Sequence, residues 1–189
     1  MKILWDFDGT LFDTYPAYTD ILYAVMEAKK DKHDISSQLK ISFTHAIKHF
    51  ELSDEQVNFF FDKESQMHPS LTPPFHHLRE ILSYSELNVI MTHKPRNEVE
   101  QILQYYGMEI YFQDMIAGDD GYPRKPDPAS YQVLQDRYGI DLVIGDREID
   151  ILPAKALGIK SCLFQNQAPC ADYYLSSYEE FFDTLILEK

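Results

Sequence analysis

Five short apolar runs punctuate the chain: Lys2–Trp5, Asn88–Met91, Met115–Ala117, Leu142–Ile144 and Ser161–Phe164. Several are rich in Val or Ile, and turn formers bound each one. Unbroken apolar runs of this length fit strands buried on both faces, as in a parallel sheet. Helical patterns lie between them. Asn97–Tyr106 carries Val99, Ile102 and Leu103 and stops at Gly107. Pro128–Tyr138 carries Tyr131, Val133 and Leu134 and stops at Gly139, and Ile149–Leu157 stops at Gly158. Glycine just past a helix is a stop signal, because it readily takes the left-handed conformation that closes the last turn.

One stretch breaks the alternation. Between Tyr15 and Pro74 the pattern holds no strand. Pro16–Lys29 reads as a helix with Ile21, Leu22, Val25 and Met26 on one face, and Ser42–Phe50 as a shorter one. Ser53-Asp54-Glu55-Gln56 has the form of a capping box, and Val57, Phe60 and Phe61 follow it. Pro73-Pro74 then ends helical structure. The pattern therefore predicts an α/β fold, a doubly wound, Rossmann-like parallel sheet of about five strands, with a small all-helical insert after the first. The expected division is a core of residues 1–14 and 75–189 and a helical subdomain of residues 15–74.

Bulk composition narrows the partners. The 189 residues carry a net charge of −14. Such a surface repels nucleic acid and anionic membrane, so neither is an expected partner. No apolar run approaches the ~18 residues that a membrane-spanning helix needs. Cys162 and Cys170 lack metal-type spacing and read as free thiols of a reducing cytoplasm. An acidic motif begins by Asp6, which leaves no room for a signal peptide, and the expected location is cytoplasmic.

In open α/β sheets, ligands bind beyond the carboxyl ends of the strands, so the residues after each run carry the candidate chemistry. Asp6, Asp8 and Thr10 follow the first run, and Thr92, His93 and Lys94 the second. Lys125-Pro126 comes after the third, and Asp146 and Asp150 after the fourth. Asp6 and Asp8 are two residues apart and share a strand face. Two bare carboxylates ~4 Å apart repel by ~4 kcal/mol at an effective dielectric of 20. A hard dication reverses that sign, and oxygen-only ligands without His or Cys suit Mg²⁺.

Asp6-Phe7-Asp8-Gly9-Thr10, Thr92, Lys125-Pro126 and Gly145-Asp146-Arg147-Glu148-Ile149-Asp150, in that order at strand ends, resemble the haloacid dehalogenase superfamily. The insert resembles the helical cap of its phosphoglycolate phosphatase and β-phosphoglucomutase branch. The resemblance implies catalytic roles for Asp6, Asp8, Thr92 and Lys125. Asp6 would attack phosphorus to form an aspartyl phosphate, and Asp8 would be the general acid–base. Thr92, His93 and Lys125 would bind the phosphate or substrate. Asp6, Asp8 (through its carbonyl), Asp146 and Asp150 would hold Mg²⁺. Asp8 also argues against dehalogenation, because the dehalogenases of the superfamily lack that carboxylate.

The implied activity is Mg²⁺-dependent hydrolysis of a small phosphorylated metabolite by a monomer or homodimer. A phosphomutase shares the same core and stays open as an alternative. A receiver-like module that accepts phosphate on aspartate stays open as a third, although its length and lack of an insert count against it. Outside the motifs, Thr10 reads as a loop brace, Asp13 as a hinge or cap residue, and Arg147 as a salt-bridging residue. His93 and Lys94 are candidates for substrate contact, and Thr44, His45, Lys48 and His49 are cap residues that could face a substrate. His68, His76 and His77 do not form a metal site by spacing, since adjacent residues diverge on a helix.

Overall fold

The protein is represented by a computed structural model that describes residues 1–186. Among these, six parallel strands form one sheet in the order β3-β2-β1-β4-β5-β6. They are β1 (Lys2–Trp5), β2 (Leu87–Met91), β3 (Asp114–Ile116), β4 (Leu142–Gly145), β5 (Lys160–Phe164) and β6 (Tyr173–Leu175). The sheet is one strand wider than the apolar runs predict. β6 is a three-residue edge strand, Tyr173-Tyr174-Leu175, with its register set by Cys162↔Tyr173 on β5. Only Leu175 of it is buried, so it leaves no apolar run to read.

Period-two packing explains why the central runs are continuous. On β1, Ile3 and Trp5 face one core and Leu4 the other. Ile90 on β2 and Ile144 on β4 join the first, while Val89, Met91 and Val143 join the second. Both faces are covered by helices, as a parallel sheet requires. α5 (Leu78–Tyr84) and α6 (Arg96–Tyr106) supply Leu78, Ile81, Val99 and Ile102 to one side. α7 (Ala129–Tyr138) and α8 (Glu148–Ala156) supply Tyr131, Leu134 and Ala154 to the other. A short α9 (Phe181–Leu185) adds Phe181 to the first face.

The chain divides into two compact units, Met1–Phe12 with Pro74–Lys189, and Asp13–Pro73. The second unit is all helical: α1 (Tyr15–Val25), α2 (Lys32–Ile41), α3 (Phe43–Phe50) and α4 (Asp54–Ser65). It has its own core of Tyr18, Leu22, Ile35, Leu39, Ala46 and Phe60. The capping box forms: the Ser53 hydroxyl accepts from Gln56 N–H, and the Gln56 side chain accepts from Ser53 N–H. Two expectations change. α1 ends at Val25 instead of Lys29, because Glu27 and Ala28 take φ of 55° and 60°. Ala28 N–H then donates to the Tyr23 carbonyl (2.9 Å), a closing turn that usually uses glycine. α2 was not expected, since its apolar face is only Ile35 and Leu39 among polar residues.

Sheet order places the site. The chain builds β1, β2 and β3 toward one edge and then crosses to β4, β5 and β6 on the other. The reversal lies between β1 and β4, the position where open α/β sheets leave a crevice at their carboxyl edge. The loops carrying Asp6 and Asp146 flank that reversal.

Candidate active site

The segment after β1 is a tight loop. The Phe7 carbonyl accepts from Leu11 N–H (2.9 Å) and Phe12 N–H (3.1 Å), and Gly9 N–H donates to the Phe12 carbonyl (2.8 Å). The turn needs a positive φ at Gly9, where it is 78°. Asp6 N–H continues the ladder onto the Ile144 carbonyl of β4 (2.9 Å). The Asp6 carboxyl is therefore held at the sheet edge, almost wholly out of water.

Lys125 reaches the same point. Its ammonium donates to Asp6 Oδ1 (2.5 Å), Asp150 Oδ1 (2.7 Å) and the Met91 carbonyl (3.1 Å). The second Asp6 oxygen accepts from the Thr10 hydroxyl at 3.3 Å, which gives Thr10 its bracing role. All three charged side chains are buried. Burial and the neighbouring Asp150 push the Asp6 carboxyl up to about 6, although Lys125 pulls it down. Burial also opposes ionisation of Asp150, but Lys125 and Arg147 prevail and hold it below the usual range. For Lys125, burial is outweighed by Asp150 and Asp6, which keep the ammonium firmly charged.

Asp150 stands on the first turn of α8. Its second oxygen accepts from Arg147 N–H (3.1 Å), satisfying the helix start. Gly145 makes room for it: a Cβ there would lie 2.3 Å from Asp150 Cβ. Arg147 also reaches back, with Nε 3.5 Å from Asp146 Oδ1 and 3.8 Å from Asp150 Oδ2, the salt-bridging role expected of it. Asp6, Asp146 and Asp150 offer oxygens that all lie within 4.8 Å of one another, and all three residues are buried. The donor set is carboxylate oxygen alone, which suits a hard divalent cation. Three acids here face two bases, Lys125 and Arg147, so a cation would also correct a charge excess. Asp8 contributes no side-chain oxygen to this group. Among the described residues, His68, His76 and His77 form no such cluster either.

The strand end of β2 supplies three consecutive groups. Thr92 is buried, and its hydroxyl oxygen accepts from Lys94 N–H (3.1 Å), so its O–H can still donate. His93 Nε2 accepts from Lys125 N–H (2.8 Å). That nitrogen is turned to the loop bearing Lys125, so this contact braces the lysine. Burial, then Lys125, Arg124 and Arg147, push the imidazole down to about 3, which keeps it neutral and able to accept. Gly118, after β3, lies so near that a Cβ would sit 2.1 Å from the His93 carbonyl oxygen. Lys94 does not point outward: its buried ammonium lies 3.1 Å from Glu98 Oε2 and 4.0 Å from Asp8 Oδ1. Glu98 escapes a motif search, and the signal for it was its i,i+4 spacing from Lys94. The packing roles of Gly118 and Gly145 carried no signal beyond the residue type.

Comparison with known proteins places this geometry. A family model described as haloacid dehalogenase-like hydrolase matches residues 3–164. A phosphoglycolate phosphatase of Vibrio vulnificus (strain CMCP6) is 28% identical, covering 84% of this chain and 81% of its own. The crystal structure of a hydrolase from Streptococcus pneumoniae TIGR4 is 26% identical with a TM-score of 0.65, covering 85% of this chain and 90% of that one. A Lactobacillus plantarum structure shares the fold at 19% identity, with a TM-score of 0.81 and coverage of 96% and 97%.

Proposed function

The chain belongs to the haloacid dehalogenase-like hydrolases, and from that membership and the site geometry we propose that it is a Mg²⁺-dependent phosphatase of a small phosphorylated metabolite. The observation that carries the reading is the Asp6 carboxylate. It is buried at the carboxyl edge of the sheet, clamped by Lys125 and Thr10, with a second acid two residues on. The named phosphatase relative supports the same reaction class.

In this reading an Asp6 oxygen attacks phosphorus and a P–O bond forms, while the bond to the leaving oxygen breaks. Asp8 gives its proton to that oxygen, then takes one from the water that cleaves the aspartyl phosphate. Lys125 offsets the charge of nucleophile and phosphate, without which two anions would not approach. Thr92 donates its hydroxyl to a phosphoryl oxygen, and His93 keeps the Lys125 loop in register. Asp6, Asp146 and Asp150, with the Asp8 carbonyl, would hold the cation, which when bound neutralises phosphoryl charge. The helical unit acts as a cap that selects the substrate.

The test is hydrolysis of 4-nitrophenyl phosphate by purified protein. Turnover should require Mg²⁺, stop with EDTA, and fall at least about 10³-fold in Asp6→Asn. Wild-type turnover in that variant would overturn the nucleophile assignment.

A further inference from the structure

We propose that Lys94 is a positioning residue for Asp8, and that Glu98 is its anchor; this rests on the reading of Asp8 as general acid–base. Three observations carry it. First, the Lys94 side chain is buried, whereas a lysine stem ordinarily snorkels its ammonium into water. Its charge is directed at two carboxylates instead, Glu98 at 3.1 Å and Asp8 at 4.0 Å. Second, the backbone beneath it is pinned on both sides. Lys94 N–H donates to Thr92 Oγ1 (3.1 Å), and the Lys94 carbonyl accepts from Gly118 N–H (2.9 Å). Third, Glu98 sits in the first turn of α6, where the helix dipole favours an acid, so the anchor is itself held.

The three members differ in access. Asp8 keeps about a fifth of its side chain exposed (21%), while Lys94 keeps 2%. The ammonium therefore lies behind the acid, on the protein side, and a substrate would meet Asp8. During leaving-group departure, the O–H bond at Asp8 breaks and a new one forms on the leaving oxygen, which takes the electron pair of the broken P–O bond. A carboxyl that swings freely delivers that proton poorly, and fixing it in reach is a positioning effect.

The experiment compares two aryl phosphates of similar size, 4-nitrophenyl phosphate and phenyl phosphate, with Mg²⁺ present. The nitrophenolate departs with little help, whereas the more basic phenolate needs the proton. Lys94→Met should lose about 100-fold in kcat/KM on phenyl phosphate but no more than about 5-fold on the nitrophenyl ester. Glu98→Gln should shift the ratio in the same direction, by about 10-fold, and carries the test if Lys94→Met does not fold. In an Asp8→Asn background, Lys94→Met should add less than about a 2-fold further loss on phenyl phosphate, because the two act as one unit. Equal losses on both esters, or full additivity with Asp8→Asn, would overturn the role and point to substrate contact or mere packing. A wild type active on both esters with an unchanged variant ratio removes only this proposal. A wild type inert on both removes the phosphatase reading and this role with it.

Discussion

Two lysines in this protein each stand between two carboxylates, and they differ chiefly in water. Lys125 joins Asp6 and Asp150, and every side chain in that trio is buried. Lys94 joins Asp8 and Glu98, but there only the lysine is buried, and the acids keep 21% and 17% of their side chains exposed. The DxD motif thus gives each of its acids a separate cation, from separate loops. In the proposed reaction the deep arrangement would fix the nucleophile, since ions without water have no alternative partner. The shallow one would suit the acid that the proposed reaction needs to exchange protons, since water can take the place of either partner.

The sharpest way to break that contrast is to remove each lysine. Lys125→Met leaves the buried Asp6 carboxylate without its lysine and Asp150 with Arg147 alone, and should destabilise the fold by about 3–5 kcal/mol in urea unfolding. Lys94→Met should cost no more than about 1 kcal/mol, since its acids stay hydrated. Equal losses would mean that exposure does not distinguish the two sites.

Removing the acids should give the opposite asymmetry. The Asp6 carboxyl is pushed up to about 6 from an ordinary value of 3.8. The unfolded chain therefore ionises first, and stability contributed below that ordinary value is lost as pH rises through about 6. In metal-free protein at pH 7, Asp6→Asn should raise stability by about 1–3 kcal/mol. Asp8→Asn should stay within about 0.5 kcal/mol of wild type. A destabilised Asp6→Asn would show that the Lys125 pair outweighs the burial penalty.

Much of the convergence at this sheet edge is legible in the sequence, and the reason is geometric. Strand ends in a parallel sheet converge on one edge, so Asp6, Thr92, Lys125 and Asp146 needed only the strand pattern to be brought together. What stayed hidden depends on side-chain direction. Lys94 stays only a candidate for substrate contact in the sequence, because its position at a strand end says nothing of where its ammonium turns. His93 reads likewise, until its ring is seen to accept from the Lys125 backbone. In the fold, β6 and α2 escaped because they bury one and two apolar residues, too few to set a period. The carboxylate pattern said which groups converge, and packing decided which of them lie deep.

His93 links the two lysines, since it precedes Lys94 and braces the loop of Lys125, and its titration tests that link. The folded imidazole is held down at about 3, chiefly by burial and then by Lys125, against an ordinary 6.5. Below 6.5 the unfolded chain takes up a proton that the folded one refuses, so the stability His93 contributes is complete above 6.5 and lost as pH falls toward 3. The His93 ring is half-buried, and water screens part of this linkage. Between pH 7 and pH 5 the wild type should lose about 1 kcal/mol more than His93→Gln, whose amide oxygen can still accept from Lys125 N–H without titrating. Urea unfolding of both proteins at the two pH values measures the difference. Parallel losses would mean that the folded imidazole takes up a proton as readily as the unfolded one, so that accepting from Lys125 N–H is not what holds the loop.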